Sequence, residues 1–281
     1  MLRLRILTAI ALLAVLLPAL AHSNPLVFAC VAGVLMACGA WEWFRLNGSS
    51  HSLSVLAGGL CALVCASVWH LDLQPDTLRW IWWACALVWV VGGGALLRSG
   101  VPAWKALNPV VRQVIGFCML CAAWLAVVMA RTRGINFLLS VMALVWMADI
   151  AAYFTGRAWG GRFFTSKLAP DISPGKTREG ALGGLFGVML LAVVWVLADQ
   201  TWVLDSPSIY SVLLLRHGWF LLVAVIFLGT MSICGDLLES LVKRAAGAKD
   251  SSQLLPGHGG VLDRVDALLP VLPLAMLLQA Y

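Results

Sequence analysis

Residues 234–266 read CGDLLESLVKRAAGAKDSSQLLPGHGGVLDRVD. Five of the chain's thirteen acidic residues and four of its basic ones fall here, in a chain that is 62% hydrophobic and 11% charged. Apolar runs lie on both sides. Charge placed at membrane depth is costly unless it faces a cavity, a partner or a metal, so the stretch marks a functional site. Asp236, Glu239, Ser240 and Lys243 recur at i, i+3, i+4 and i+7, which on a helix makes one polar stripe. Asp263 and Asp266 repeat the three-residue spacing. Between them lie Lys249, Asp250, Pro256 and Gly257-His258-Gly259-Gly260, whose glycines allow tight turns and close approach of backbone to a ligand. The pattern predicts helix, loop, helix.

Outward from this stretch the chain is a membrane protein. Soluble domains carry roughly 25% charged residues; here the share is less than half that, and the mean hydropathy is +0.93. A bilayer takes roughly 20 apolar residues to cross as a helix. Runs of that kind fall at 5–22, 25–44, 52–70, 80–97, 113–130, 135–155, 181–198, 218–238 and 263–280. The expectation is an all-α polytopic integral membrane protein with about nine spans. It forms one integrated membrane domain, with little visible chemistry in 1–133 and a catalytic region in 134–281.

Positive loops stay cytoplasmic. With the N-terminus inside, fifteen of the nineteen Lys and Arg fall on the cytoplasmic side, and only Arg79, Arg131, Arg133 and Arg216 fall opposite. The loops 156–180 and 239–262 are then cytoplasmic, and Tyr281 lies across the membrane. The net charge of +6 reflects this bias and an attraction to anionic lipid. No basic tail or RNA-binding pattern points to nucleic acid.

The first run, with Arg3, Arg5 and Ala19-Leu20-Ala21, has the look of a secretory signal. The second run follows so closely that a retained helical hairpin is the better reading. Glu42, within Trp41-Glu42-Trp43-Phe44-Arg45, is expected to snorkel or to pair with Arg45 at the interface, although service to the site is a second reading. The eight cysteines make no paired CxxC ligand set, Cys118 and Cys121 being a near miss at i, i+3 in one helix, and read as buried free thiols.

Chemistry resumes with Asp149, late in an apolar run, where an unpaired carboxylate would be expensive. Small residues follow at Gly156, Gly160 and Gly161, which suit helix packing. Then come Lys167 and Ser173-Pro174-Gly175-Lys176-Thr177-Arg178-Glu179-Gly180. The Gly-Lys-Thr is no P-loop, because the first glycine of that pattern would fall at Pro170 and no strand precedes it. A basic, hydroxyl-rich loop at a helix start remains, suited to anions. The connection 199–217, with Asp199, Asp205, Arg216 and His217, reads as solvated.

Ser240-Leu-Val-Lys243-Arg244, Lys249-Asp250 and Pro256-Gly-His258-Gly259-Gly260-Val-Leu-Asp263-Arg264-Val-Asp266 together resemble the C-terminal motif of the phosphatidate cytidylyltransferase (CDP-diacylglycerol synthase) family. Residues 173–180 resemble its second region, usually Ser-Pro-Lys-Lys-Thr followed by Glu-Gly. Gly175 stands here for one lysine, whose role is then absent or taken by Lys167 or Arg178. The likeness covers chiefly 149–266.

It implies an enzyme of phospholipid biosynthesis that joins CTP and phosphatidate to give CDP-diacylglycerol and pyrophosphate, at the cytoplasmic face of the inner membrane. Hard cations are held by a few carboxylates plus substrate phosphates. Asp236, Asp263 and Asp266 are the expected ligands of one or two Mg²⁺, with Asp149 and Lys243 beside them in catalysis. Substrate contacts are expected from Ser173, Lys176, Thr177, Arg178, Lys167, Ser240, Arg244, Lys249, Asp250, His258, Gly259, Gly260 and Arg264. A homodimer is a further expectation. The competing readings are a CTP-dependent lipid-alcohol (polyprenol) kinase, against which the Lys-Asp to Asp-Arg motif argues, and a membrane transporter, since intramembrane acids also mark ion pathways.

Overall fold

The computed structural model describes residues 2–71 and 73–280. The helices are α1 (Leu2–Ala21), α2 (Pro25–Leu46), α3 (His51–Trp69), α4 (Pro75–Ala86), α5 (Gly93–Ala106), α6 (Pro109–Arg133), α7 (Ile135–Trp159), α8 (Arg178–Thr201), α9 (Ile209–Leu214), α10 (Gly218–Ala245), α11 (Leu262–Val265) and α12 (Leu268–Ala280). A π-helical turn, Leu87–Gly92, joins α4 to α5, and α5 is kinked at Gly100, where φ is +72. No strand occurs among the described residues.

Local chemistry sets the helix starts. Asn24 and Asn108 each accept a backbone N–H two residues on, with proline at the first helical position of α2 and α6, where its missing N–H costs nothing. Thr177 caps α8 in the same way through the Gly180 N–H.

Among the described residues, eight helical stretches are long and apolar enough to cross a membrane. They correspond to the first eight expected runs. The ninth, 263–280, differs. It is split at Asp266 into α11 and the 13-residue α12, about 20 Å at 1.5 Å per residue against roughly 30 Å of hydrocarbon. α12 is buried almost throughout, so it forms the core around which the lipid-facing helices stand. Its far end still reaches the opposite face, where Arg216 donates to the Gln279 carbonyl at 2.8 Å. Tyr281 lies outside the described residues.

Contacts at the helix ends define the two faces. One face holds the starts of α1, α3, α6, α8 and α11 and the ends of α2, α5, α7 and α10; the other holds Arg79, Arg131, Arg133 and Arg216. On that second face the connection 199–217 is a built network and not a solvated link. Gly134 can offer α7 no side-chain cap, so Asp205 accepts from the Ile135 and Asn136 N–H groups instead. Asp199 accepts from Asn136 and from the Ser208 and Ser211 hydroxyls. α9 is buried behind it, with the Tyr210 hydroxyl donating to the Ser140 carbonyl.

α7 and α8 are the pair that positions the site. A Cβ at Gly184 would stand 2.8 Å from the Ala148 carbonyl oxygen, and one at Gly180 2.9 Å from that of Ala152. Only glycine permits this approach, and it brings the end of α7 against the start of α8. All cysteines are free, but Cys30 and Cys118 are exposed and not buried, because they lie on outward helix faces. The Cys61, Cys65 and Cys121 sulfurs gather within 4.8 Å where α3 meets α6.

Candidate active site

Between α7, α8 and α10 lies a cavity of about 430 Å³, lined by Asp149, Tyr153, Arg157, Lys176, Thr177 and Asp236 among others. The turn 168–176 presents Lys176 to it. Leu168 donates to the Lys176 carbonyl, Ala169 bridges Ser173, and Ile172 is buried against Trp104 and Leu241. Lys167 donates to the Pro174 carbonyl and so closes this turn from outside the cavity. Lys176 Nζ meets Asp236 at 2.5 Å, and the Ser240 hydroxyl, one turn along α10, reaches the same carboxylate at 3.4 Å. Arg157 donates to the Tyr153 hydroxyl at 3.0 Å.

Asp266 joins this acidic group from the start of α12. Gly235 makes the approach possible, since a Cβ there would stand 2.7 Å from the Asp266 carbonyl oxygen. Burial, then the charge of Asp236, raises the Asp266 carboxyl above the ordinary carboxylate range; Asp149 adds to the push. Asp149, Asp236 and Asp266 therefore share one field. Among the described residues no three carboxylates have oxygens within 4.8 Å of one another.

Asp263 belongs to a second cluster. It accepts from Lys243 Nζ at 2.5 Å, and from the Ser251 N–H, the Ser251 hydroxyl and the Gly260 N–H, each at 2.8 Å. Burial alone would raise this carboxyl, but Lys243 and the loop donors outweigh it and hold it at about 2. Lys243 also pairs with the buried Glu239. Asp263 thus knots the loop 251–260 to α10.

The remaining expected contacts divide between the cavity and its frame. Thr177 lines the cavity, but its hydroxyl is engaged as the α8 cap. Arg178 lies over the Phe164 ring. Arg244 donates to the Ile172 and Ala248 carbonyls and so ties the two loops together. Arg264 donates to the His258 carbonyl at 2.6 Å, while the His258 Nδ1 is buried with no hydrogen-bond partner among the described residues. Lys249 and Asp250 are exposed at the loop's start. Gly259 has φ +85, a left-handed conformation suited to glycine.

Two acids behave differently from their sequence reading or were passed over in it. Glu42 is not interfacial and does not pair with Arg45, whose guanidinium stacks on Trp41 at 4.6 Å. It is fully buried, with 0% of its surface exposed, and accepts from loop donors at 251, 252, 261 and 262. The cause is the 251–262 loop folding over the end of α2, which takes Glu42 out of the interface. Glu179 accepts from the Phe163 and Phe164 N–H groups at 3.0 Å and so holds the end of the 160–164 turn. Its place directly after Arg178, in the first turn of a helix, was the available signal.

The fold and this cavity define a multi-pass helical membrane protein that sets acidic and basic groups together on one face. The cytidylyltransferase family model matches residues 3–281. A phosphatidate cytidylyltransferase of Pseudomonas aeruginosa is 37% identical over 279 residues, which cover 97% of this chain and 95% of that protein. That of Haemophilus influenzae is 34% identical over 296 residues, 97% of this chain and 96% of the relative. The protein of the same name from Bacillus subtilis is 40% identical over 147 residues, 52% of this chain and 48% of its own length. The chain belongs to the cytidylyltransferase family and is a nucleotidyltransferase.

Proposed function

We propose that this chain transfers the cytidylyl group of CTP to phosphatidate, giving CDP-diacylglycerol and pyrophosphate, on the cytoplasmic face of an inner membrane. The observation that carries the reading is the cavity lined by Lys176, Arg157, Asp149 and Asp236, in which Lys176 is paired with Asp236. A phosphate oxygen of the lipid attacks the α-phosphorus of CTP, the bond from that phosphorus to the bridging oxygen breaks, and pyrophosphate leaves. All partners are anionic. Catalysis then consists of positioning and charge stabilisation.

Lys176 is the group that would meet phosphate, since a cation held at Asp236 would free it from that carboxylate. Arg157, at the cavity wall, adds a second positive donor. The donor set fits a hard divalent cation: the carboxylates of Asp236 and Asp149 line the cavity with no soft ligand among its walls, and Asp266 shares their field without lining it. Mg²⁺ held there would neutralise the triphosphate. Asp263 is spent on Lys243 and the loop, and its role is to hold the frame.

The decisive measurement uses purified protein in liposomes of phosphatidate with CTP and Mg²⁺. Pyrophosphate and CDP-diacylglycerol should appear together and stop when any one component is left out. CDP with a phosphorylated alcohol would show a kinase instead, and solute flux without nucleotide a transporter.

A further inference from the structure

Glu42 sits in the half of the chain whose sequence shows little chemistry, yet it is the acid most completely enclosed. Its carboxylate has no ion-pair partner among the described residues. Three donors stabilise it instead, with a fourth, the Ser251 hydroxyl, whose one proton it shares with Asp263. Oε1 accepts from the Ser252 hydroxyl at 2.5 Å and the Val261 N–H at 2.9 Å; Oε2 accepts from the Ser251 hydroxyl at 3.2 Å and the Leu262 N–H at 2.7 Å. One carboxylate therefore grips both ends of the loop.

The grip answers a need of α11. The first N–H groups of a helix have no partner within it, and α11 has no side-chain cap of its own. Glu42 supplies that acceptor from 219 and 220 residues away. Gly260 gives a second observation to the same effect: its φ is not positive, but a Cβ there would strike the Ser251 hydroxyl and the Glu42 carboxylate. That glycine leaves room for the Ser251 hydroxyl and the Glu42 carboxylate to meet the loop together.

We propose that Glu42 is a positioning residue for the transfer reaction. By pinning residues 251–252 to 261–262 it sets the start of α11, and through α11 the stance of Asp266 toward Asp236 and Asp149. The inference rests on the proposed reaction for its kinetic part only.

The test is Glu42→Gln in the full-length, detergent-purified protein. Glutamine keeps the shape, but whichever way its amide turns, an NH₂ faces one of the two helix N–H groups. Hydrogen exchange of peptides spanning 251–262 should quicken at least tenfold, while peptides from α7 and α8 stay as in the unsubstituted protein. The kcat should fall at least tenfold with KM for CTP within threefold, and the Mg²⁺ concentration for half-maximal rate should rise. Gly260→Ala should reproduce both changes. Unchanged loop exchange, exchange quickened equally throughout the molecule, or a kcat within twofold would each overturn the proposal. If the unsubstituted protein makes no CTP-dependent product, the reaction assignment fails by itself, and the exchange comparison still decides whether Glu42 holds the loop.

Discussion

Asp236 and Asp263 each touch a lysine, and what else they touch separates their roles. Asp236 has Lys176, a weak hydroxyl contact and open cavity; Asp263 has every oxygen occupied by the loop and Lys243. Asp236→Asn should therefore lower turnover roughly 100-fold or more, the scale of losing a group that stabilises transition-state charge, without moving the thermal unfolding midpoint. Asp263→Asn should act first on stability. Its carboxyl is held at about 2 against an ordinary 3.8, which corresponds to about 2 kcal/mol at neutral pH. The folded-state value is depressed, so this contribution is full above about pH 4 and is lost as pH falls toward 2. Unfolding midpoints of both variants at pH 7 in detergent check the contrast; equal midpoints would refute the division of roles. Asp266 has the opposite sign. Protons compete with Mg²⁺ at a carboxyl raised by burial and by Asp236, so the Mg²⁺ concentration for half-maximal rate should fall as pH rises from mildly acidic toward neutral and level off once the carboxyl is ionised. A profile that is flat across that range would remove Asp266 from the cation site.

At the scale of elements, the eight long spans were legible because length and continuous apolarity are local properties of a run. α12 was not, since its composition is that of a span and only packing reveals it as a short core helix between its neighbours. The polar stripe of α10 placed Asp236, Glu239, Ser240 and Lys243 correctly along one helix, but periodicity cannot say which partner each side chain finds. Asp263 went to the loop for that reason. Glu42 was misread for a related one: its donors lie more than 200 residues away in sequence. The run Gly180, Gly183, Gly184, Gly187 carried a readable signal, small residues at four-residue spacing. Those glycines let α8 lie against the α7 backbone and set Asp149 beside the Lys176 turn. Gly184→Val should push the helices apart, because its Cβ would stand 2.8 Å from a backbone oxygen that cannot rotate away. The expected cost is about 1–3 kcal/mol with loss of activity, read by thermal unfolding and pyrophosphate release; a fully active, equally stable variant would show that this contact does not position the site.

For the whole molecule, the distribution of charge and the arrangement of helix ends lead to one orientation by separate routes. Basic residues fall fifteen to four by sequence, and the helix ends sort the four exceptions onto the face that carries Asp199 and Asp205, opposite the cavity. Positive loops are retained in the cytoplasm, and CTP is a cytoplasmic solute, so the cavity face should be cytoplasmic. Ser251 makes a poor reporter of this, since it is buried and hydrogen-bonded to Asp263 and Glu42. Lys249 and Val203 are exposed on the two faces. In a background lacking the exposed Cys30 and Cys118, Val203→Cys should react in intact cells with a thiol reagent that cannot cross the inner membrane. Lys249→Cys should react only after that membrane is opened. The reverse pattern would place Lys176, Asp236 and the glycine-rich loop on the side without nucleotide, and the proposed reaction could not be supplied with its substrate.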